Sequence, residues 1–148
     1  MSKNETILKK ITDQAILPLY FNADETVSIE VLKALYTAGM IWIPGCMTPS
    51  EIIRAENLGA KMIKLFPGDI LGPKFMAGIK SLFPNLIFMP TGGVSLDKDN
   101  VQAWFSAGVS AVGMGSKLVS KQLLQDKNYT EIHELAKKAI ALVNEVKG

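Results

Sequence analysis

Short continuous apolar runs alternate along this chain with longer segments in which apolar residues recur at helical spacing. The apolar runs are Ala15–Phe21, Met40–Ile43, Ala60–Phe66, Leu86–Met89 and Ser110–Met114. Runs this short, bounded by Gly and Pro, predict strands buried on both faces of a parallel sheet. The spacing predicts a short opening helix over Ile7–Thr12 and a helix over Thr26–Thr37. The latter carries Ile29, Leu32 and Leu35 or Tyr36 on one face. Further helices are predicted from Thr48 to about Asn57, over Pro73–Phe83 and over Asp97–Ala107. A short one near Lys117–Leu124 and a long one over Tyr129–Val146 complete the set.

The punctuation agrees with this reading. Asn22-Ala23-Asp24 is a turn that can cap a helix. Thr48-Pro49-Ser50-Glu51 has a capping residue, Pro at the first helical position and an acid in the first turn. Ala38-Gly39, Leu58-Gly59 and Ala107-Gly108 read as helix stops. The pattern gives five strand–helix units with no linker and no low-complexity segment, hence one α/β domain over residues 1–148.

Composition narrows the function. The chain has 148 residues, of which 48% are hydrophobic and 20% charged, with a formal net charge of +2. A sizeable core is expected, and long disorder is not. Arg54 is the only arginine among 16 basic residues, and the lysines are scattered. That is a poor toolkit for nucleic acid, so no nucleic-acid partner is expected. Cys46 and His133 are single representatives of their types. They form no disulfide and no zinc site of the usual kind, so both are expected to be structural or incidental, with no metal and no cofactor. The polar start and the absence of a long apolar run predict a cytoplasmic protein that does not enter a membrane.

Lys64 is the conspicuous residue. It interrupts the apolar run Met62-Ile63-Lys64-Leu65-Phe66, which ends at Pro67. An ammonium in such a place costs free energy unless it is paired or deprotonated, and a neutral lysine attacks carbonyls to form a Schiff base. The plainer reading puts Lys64 on the solvent face of an edge strand. Two loops tilt the balance. Pro90-Thr91-Gly92-Gly93-Val94-Ser95 follows the fourth predicted strand, and Gly113-Met114-Gly115-Ser116 closes the fifth. Glycines let backbone N–H groups approach an anion, and parallel barrels bind phosphate with the loops after their last two strands. These loops have that arrangement.

Ile41-Trp42-Ile43-Pro44-Gly45, Thr48-Pro49-Ser50-Glu51, Met62-Ile63-Lys64-Leu65-Phe66-Pro67, Pro90-Thr91-Gly92-Gly93-Val94-Ser95 and Gly113-Met114-Gly115-Ser116 occur in the order found in one family. In these motifs the chain resembles the class I 2-keto-3-deoxy-6-phosphogluconate and 4-hydroxy-2-oxoglutarate aldolases. The resemblance implies that Lys64 is the Schiff-base lysine. It implies that Phe66, with Pro44 and Gly45, lines a pyruvate site, and that Thr91, Gly92, Gly93, Gly115 and Ser116 hold the substrate phosphate. The reaction implied is cleavage of a phosphorylated keto-acid to pyruvate and an aldehyde. Separately, the apolar runs Met40–Ile43 and Ala15–Phe21, read as open sheet edges, are expected to seek partners and make a homo-oligomer.

The family uses a (β/α)8 barrel. Set against it, this chain lacks three strand–helix units at the Gly39–Met40 join. The expected architecture is therefore a partial barrel or an open five-stranded, flavodoxin-like sheet. The missing units carry the family's general acid/base glutamate and its carboxylate-binding arginine. Neither motif occurs here, so the implied activity is weak or lost. The alternative is a non-catalytic phosphate-binding α/β module or an engineered barrel fragment.

Overall fold

Asp24, Thr48, Asp97 and Ser120 each start a helix by the same local means, a side-chain oxygen that accepts a backbone N–H of the first turn. In the computed structural model, which describes Thr6, Lys9 and residues 23–147, the helices are α1 (Glu25–Thr37), α2 (Pro49–Asn57), α3 (Gly68–Lys80), α4 (Lys98–Ser106), α5 (Lys121–Gln125) and α6 (Tyr129–Lys147). The strands are β1 (Gly45–Cys46), β2 (Met62–Leu65) and β3 (Ile87–Pro90). The predicted opening helix Ile7–Thr12 and first strand Ala15–Phe21 lie outside the described residues, apart from Lys9.

The three helix stops form one motif. The N–H groups of Gly39, Gly59 and Gly108 donate to Tyr36, Glu56 and Phe105. Those of Met40, Ala60 and Val109 donate to Leu35, Ala55 and Trp104. Each glycine has a positive φ, between 78° and 96°. This is the Schellman pattern, in which a left-handed residue turns two N–H groups back onto orphan carbonyls.

The strands form one sheet in the order β1-β2-β3. Ile87 N–H donates to Lys61 O and Thr91 N–H to Leu65 O, so β2 and β3 advance together and are parallel. The chain divides into two compact units. One comprises residues up to Lys64 together with Asn85–Ile87, and the other comprises Leu65–Pro84 and Phe88–Gly148.

In the first unit, α2 opens with a complete capping box. Thr48 Oγ1 accepts from Glu51 N–H, and Glu51 Oε2 accepts from Thr48 N–H at 2.7 Å and Met47 N–H at 2.8 Å. Burial pushes the Glu51 carboxyl up. The hydrogen bonds from Met47 and Thr48, with Arg54 nearby, outweigh it and hold the group below its ordinary value. Trp42, Cys46, Ile52, Ala55, Met62 and Ile63 are buried here. The strand expected at Met40–Ile43 sits instead at Gly45–Cys46. Within the run Trp42 is buried, at 5% exposed, and Met40, Ile41 and Ile43 are half-buried. Apolarity reports burial, and it does not by itself say where a ladder forms. On α1, Ile29, Leu32 and Leu35 are half-buried as the spacing predicted, while Tyr36 lies over Gly59.

In the second unit, the helix expected from Pro73 is preceded by an extra turn. Gly72 (φ 71°, ψ 168°) separates that turn from the segment beginning at Pro73. A glycine in that conformation interrupts the ladder, and the following proline is suited to a helix start. Leu65, Met76, Phe88, Val101 and Trp104 form the core, each at most 1% exposed. Phe83 and Phe88 meet edge to face at 6.5 Å between centroids. Helix α6 packs on α4, joined by the Lys98–Glu145 ion pair and by Lys147 over Phe105. The expected fifth strand, Ser110–Met114, runs beside β3 as a parallel Thr91–Gly113 bridge only. Ser110 N–H donates to Phe88 O, and Gly113 N–H donates to Pro90 O. Two steps along β3 thus match three along its neighbour, and the extra residue breaks the ladder.

Candidate active site

β2 presents Lys64 between Ile63 and Leu65, both 0% exposed. Side chains alternate across a strand, so Lys64 shares the opposite face with Met62. Lys64 is half-buried, and no charged side chain among the described residues is buried. Its backbone N–H donates to Pro44 O at 2.8 Å, which sets Pro44 and then Gly45 beside the lysine's own strand. A Cβ on Gly45 would meet nothing within 4 Å. Three of the predicted residues, Lys64, Pro44 and Gly45, are thus adjacent within the first unit.

Phe66, Thr91, Gly92, Gly93, Gly115 and Ser116 belong to the second unit. Phe66 is 50% exposed, and its bond to Pro67 is cis. Gly68 N–H donates to Thr91 O at 2.8 Å, so the start of α3 lies directly against the Thr91–Gly93 loop. Gly92 and Gly93 both have positive φ, 87° and 66°. A Cβ on Gly93 would stand 2.7 Å from Asp69 Cα. On the far side of the loop, a Cβ on Gly113 would stand 2.6 Å from Thr91 Oγ1. The Gly93 carbonyl accepts from Asn100 Nδ2 at 3.0 Å and Trp104 Nε1 at 3.5 Å, and Asn100 Oδ1 accepts from Ser95 N–H. The loop is therefore packed against Gly68-Asp69, against Gly113 and against Asn100 and Trp104. The glycines at 92 and 93 are required by that packing whether or not an anion binds.

Gly115 differs. Its φ is ordinary, and a Cβ there would meet nothing within 4 Å. Neither strain nor crowding asks for glycine at 115. Gly78, in the middle of α3, is equally open, so openness alone does not mark a site. Gly115 O accepts from Leu118 and Val119 N–H, so the chain makes a single turn there. The short helix expected near Lys117 begins only at Lys121, after the Ser120 cap.

Sequence reasoning did not single out Asp69 or Asn100 as part of the loop's surroundings. Neither carries a local signal, because both reach the loop through the tertiary fold. Cys46 is buried, and burial, with the Glu51 charge adding to it, pushes its thiol up to about 12. His133 is exposed, with Nε2 3.7 Å from Glu134 Oε1. Among the described residues, no group of three His, Cys, Asp or Glu side chains could hold a metal ion, and no helix is long and apolar enough to cross a membrane.

The family model for KDPG and KHG aldolases matches residues 21–135. The chain belongs to the KDPG and KHG aldolase family. A 2-dehydro-3-deoxy-6-phosphogalactonate aldolase of Escherichia coli K12 is 33% identical over 90 residues, 60% of this chain and 43% of its own. A 2-dehydro-3-deoxy-phosphogluconate aldolase of Pseudoalteromonas atlantica is 28% identical over 137 residues, 92% of this chain and 63% of its own. Among solved structures, a Legionella pneumophila KDPG aldolase with pyruvate captured as a covalent carbinolamine superposes with a TM-score of 0.65. It shows 26% identity and covers 80% of this chain and 54% of its own. The chain spans about half the length of the curated relatives it matches.

Proposed function

We propose that this chain carries the Schiff-base half of a class I aldolase site. Lys64 would attack the ketone carbon of a keto-acid. The new N–C bond forms as the carbonyl electron pair moves to oxygen, and loss of water leaves an iminium. The C3–C4 bond electrons then flow into the iminium as the C4 hydroxyl gives its proton to a base. Protonation at C3 and hydrolysis release pyruvate and free Lys64. The observation that carries this reading is the family match through residues 21–135, with Lys64 standing half-buried in β2 within Lys64-Leu65-Phe66-Pro67.

The substrate class is a 2-keto-3-deoxy-6-phosphosugar acid or 4-hydroxy-2-oxoglutarate. Phe66, Pro44 and Gly45 would line the pyruvate end, and Thr91, Gly92, Gly93, Gly115 and Ser116 the phosphate end. We place the chain in the cytoplasm as a single α/β domain derived from a (β/α)8 barrel, with three units absent at Gly39–Met40. Self-association belongs to the same proposal. It rests on the apolar runs read as open sheet edges, which favour pairing with a partner. A monomer in light scattering would overturn that part.

No glutamate of this chain matches the family's general base. Losing a positioned base costs about 10² to 10⁴ in rate, so turnover is expected to be slow. That absence supports the second reading, a module that binds the anion without catalysis. Borohydride trapping with pyruvate, read by mass spectrometry, tests the first. An adduct on the Lys64 peptide that disappears in Lys64→Met is expected. A folded sample without adduct would falsify the Schiff-base role. If phosphate still perturbed the Gly92, Gly93 and Gly115 amides, the binding module would stand.

A further inference from the structure

The Thr91–Gly93 loop has a negative charge set against it. Asp69 stands in the first turn of α3, exposed, and a Cβ on Gly92 would lie 3.0 Å from its Oδ1. Gly93 packs on the Asp69 backbone, so main-chain contacts set the residue that carries the carboxylate beside the loop. Among the described residues no lysine or arginine forms an ion pair with Asp69. An acid in the first turn of a helix is favoured by the helix dipole. The dipole explains its presence in the turn. It does not explain why its oxygen lies against the loop expected to receive an anion.

We infer that Asp69 is a specificity-determining residue, whose carboxylate biases the Thr91–Gly93 loop against dianions and toward singly charged ends such as a carboxylate. The inference rests on the reading that this loop receives the anionic end of the substrate. Its physical basis is that Coulomb repulsion scales with ligand charge, so a phosphate dianion feels twice the repulsion a carboxylate feels at the same place. The substrate class favoured is therefore a keto-acid ending in a carboxylate, over one ending in a phosphate monoester.

The test compares the full chain with Asp69→Asn, which keeps the side-chain shape. Inorganic phosphate at mildly alkaline pH and acetate are titrated against the backbone amide signals of Gly92 and Gly93. The expected result is about tenfold tighter phosphate binding and about threefold tighter acetate binding in the variant, the ratio following the charges. Both gains shrink as salt is added, which a purely structural role would not produce. A second variant, Asp69→Ser, keeps a polar residue in the helix start and should show the same selectivity. Equal gains for the two anions, or none, would overturn the inference while leaving the loop reading intact. If phosphate moves neither amide in any of these proteins, the loop reading falls and the inference falls with it. Lys64 trapping remains a separate measurement.

Discussion

Gly93 and Gly115 both follow strand-like segments in the same unit, and both were expected to hold phosphate, yet they are glycine under different constraints. At Gly93 the backbone is left-handed and Asp69 Cα occupies the space a Cβ would need. At Gly115 the backbone is ordinary and the space is empty. The first glycine is demanded by the fold, and neither backbone conformation nor crowding demands the second. A glycine-rich loop therefore does not carry functional information evenly, and substitution can separate the two causes.

The largest effect is expected at the loop's clamp. Trp104→Ala should cost about 3–5 kcal/mol, since it empties a core position that is 1% exposed and removes a donor to Gly93 O. Urea unfolding measures it, and a loss under about 1 kcal/mol would show that the loop is not anchored there. Gly93→Ala should follow at about 2–4 kcal/mol, from positive φ together with a backbone clash. Asn100→Ala should cost about 1–3 kcal/mol, because it leaves Ser95 N–H and Gly93 O without the Asn100 side chain. Gly115→Ala should change stability by less than about 0.5 kcal/mol. The same variant should weaken phosphate binding severalfold under the proposed function. If it binds phosphate as the parent does, the contrast between the two glycines has no functional meaning.

The smallest effect concerns Cys46. Burial pushes its folded thiol up to about 12, from an ordinary value of 9.0. An unfolded chain therefore loses this proton first, and the contribution to stability is complete below pH 9 and declines as pH rises from 9 toward 12. At pH 8 the folded protein should resist alkylation, while the urea-unfolded chain reacts readily. Ready labelling of folded protein would contradict the burial seen in the structure.

Helix beginnings and ends were legible because their chemistry is local. Thr48 and Glu51 are three residues apart, and the capping box needs nothing else. The three Gly stops likewise use hydrogen bonds that span no more than five residues. The strands were less legible. Met40–Ile43 is apolar and buried or half-buried, while pairing falls at Gly45–Cys46. Ser110–Met114 pairs out of step with β3, and no local pattern announces an extra residue.

The sequence by itself determined the α/β class, the caps, the Schellman stops and the family motifs around Lys64, since each depends on neighbours in the chain or on motif order. Only the tertiary structure decided that Lys64 is half-buried rather than enclosed and that Pro44 O meets its backbone. The same holds for the contact of Asp69 and Asn100 with the Gly92–Gly93 loop, and for the open space at Gly115. Those facts arise from contacts between residues distant in sequence, where packing and hydrogen bonding outweigh local preference.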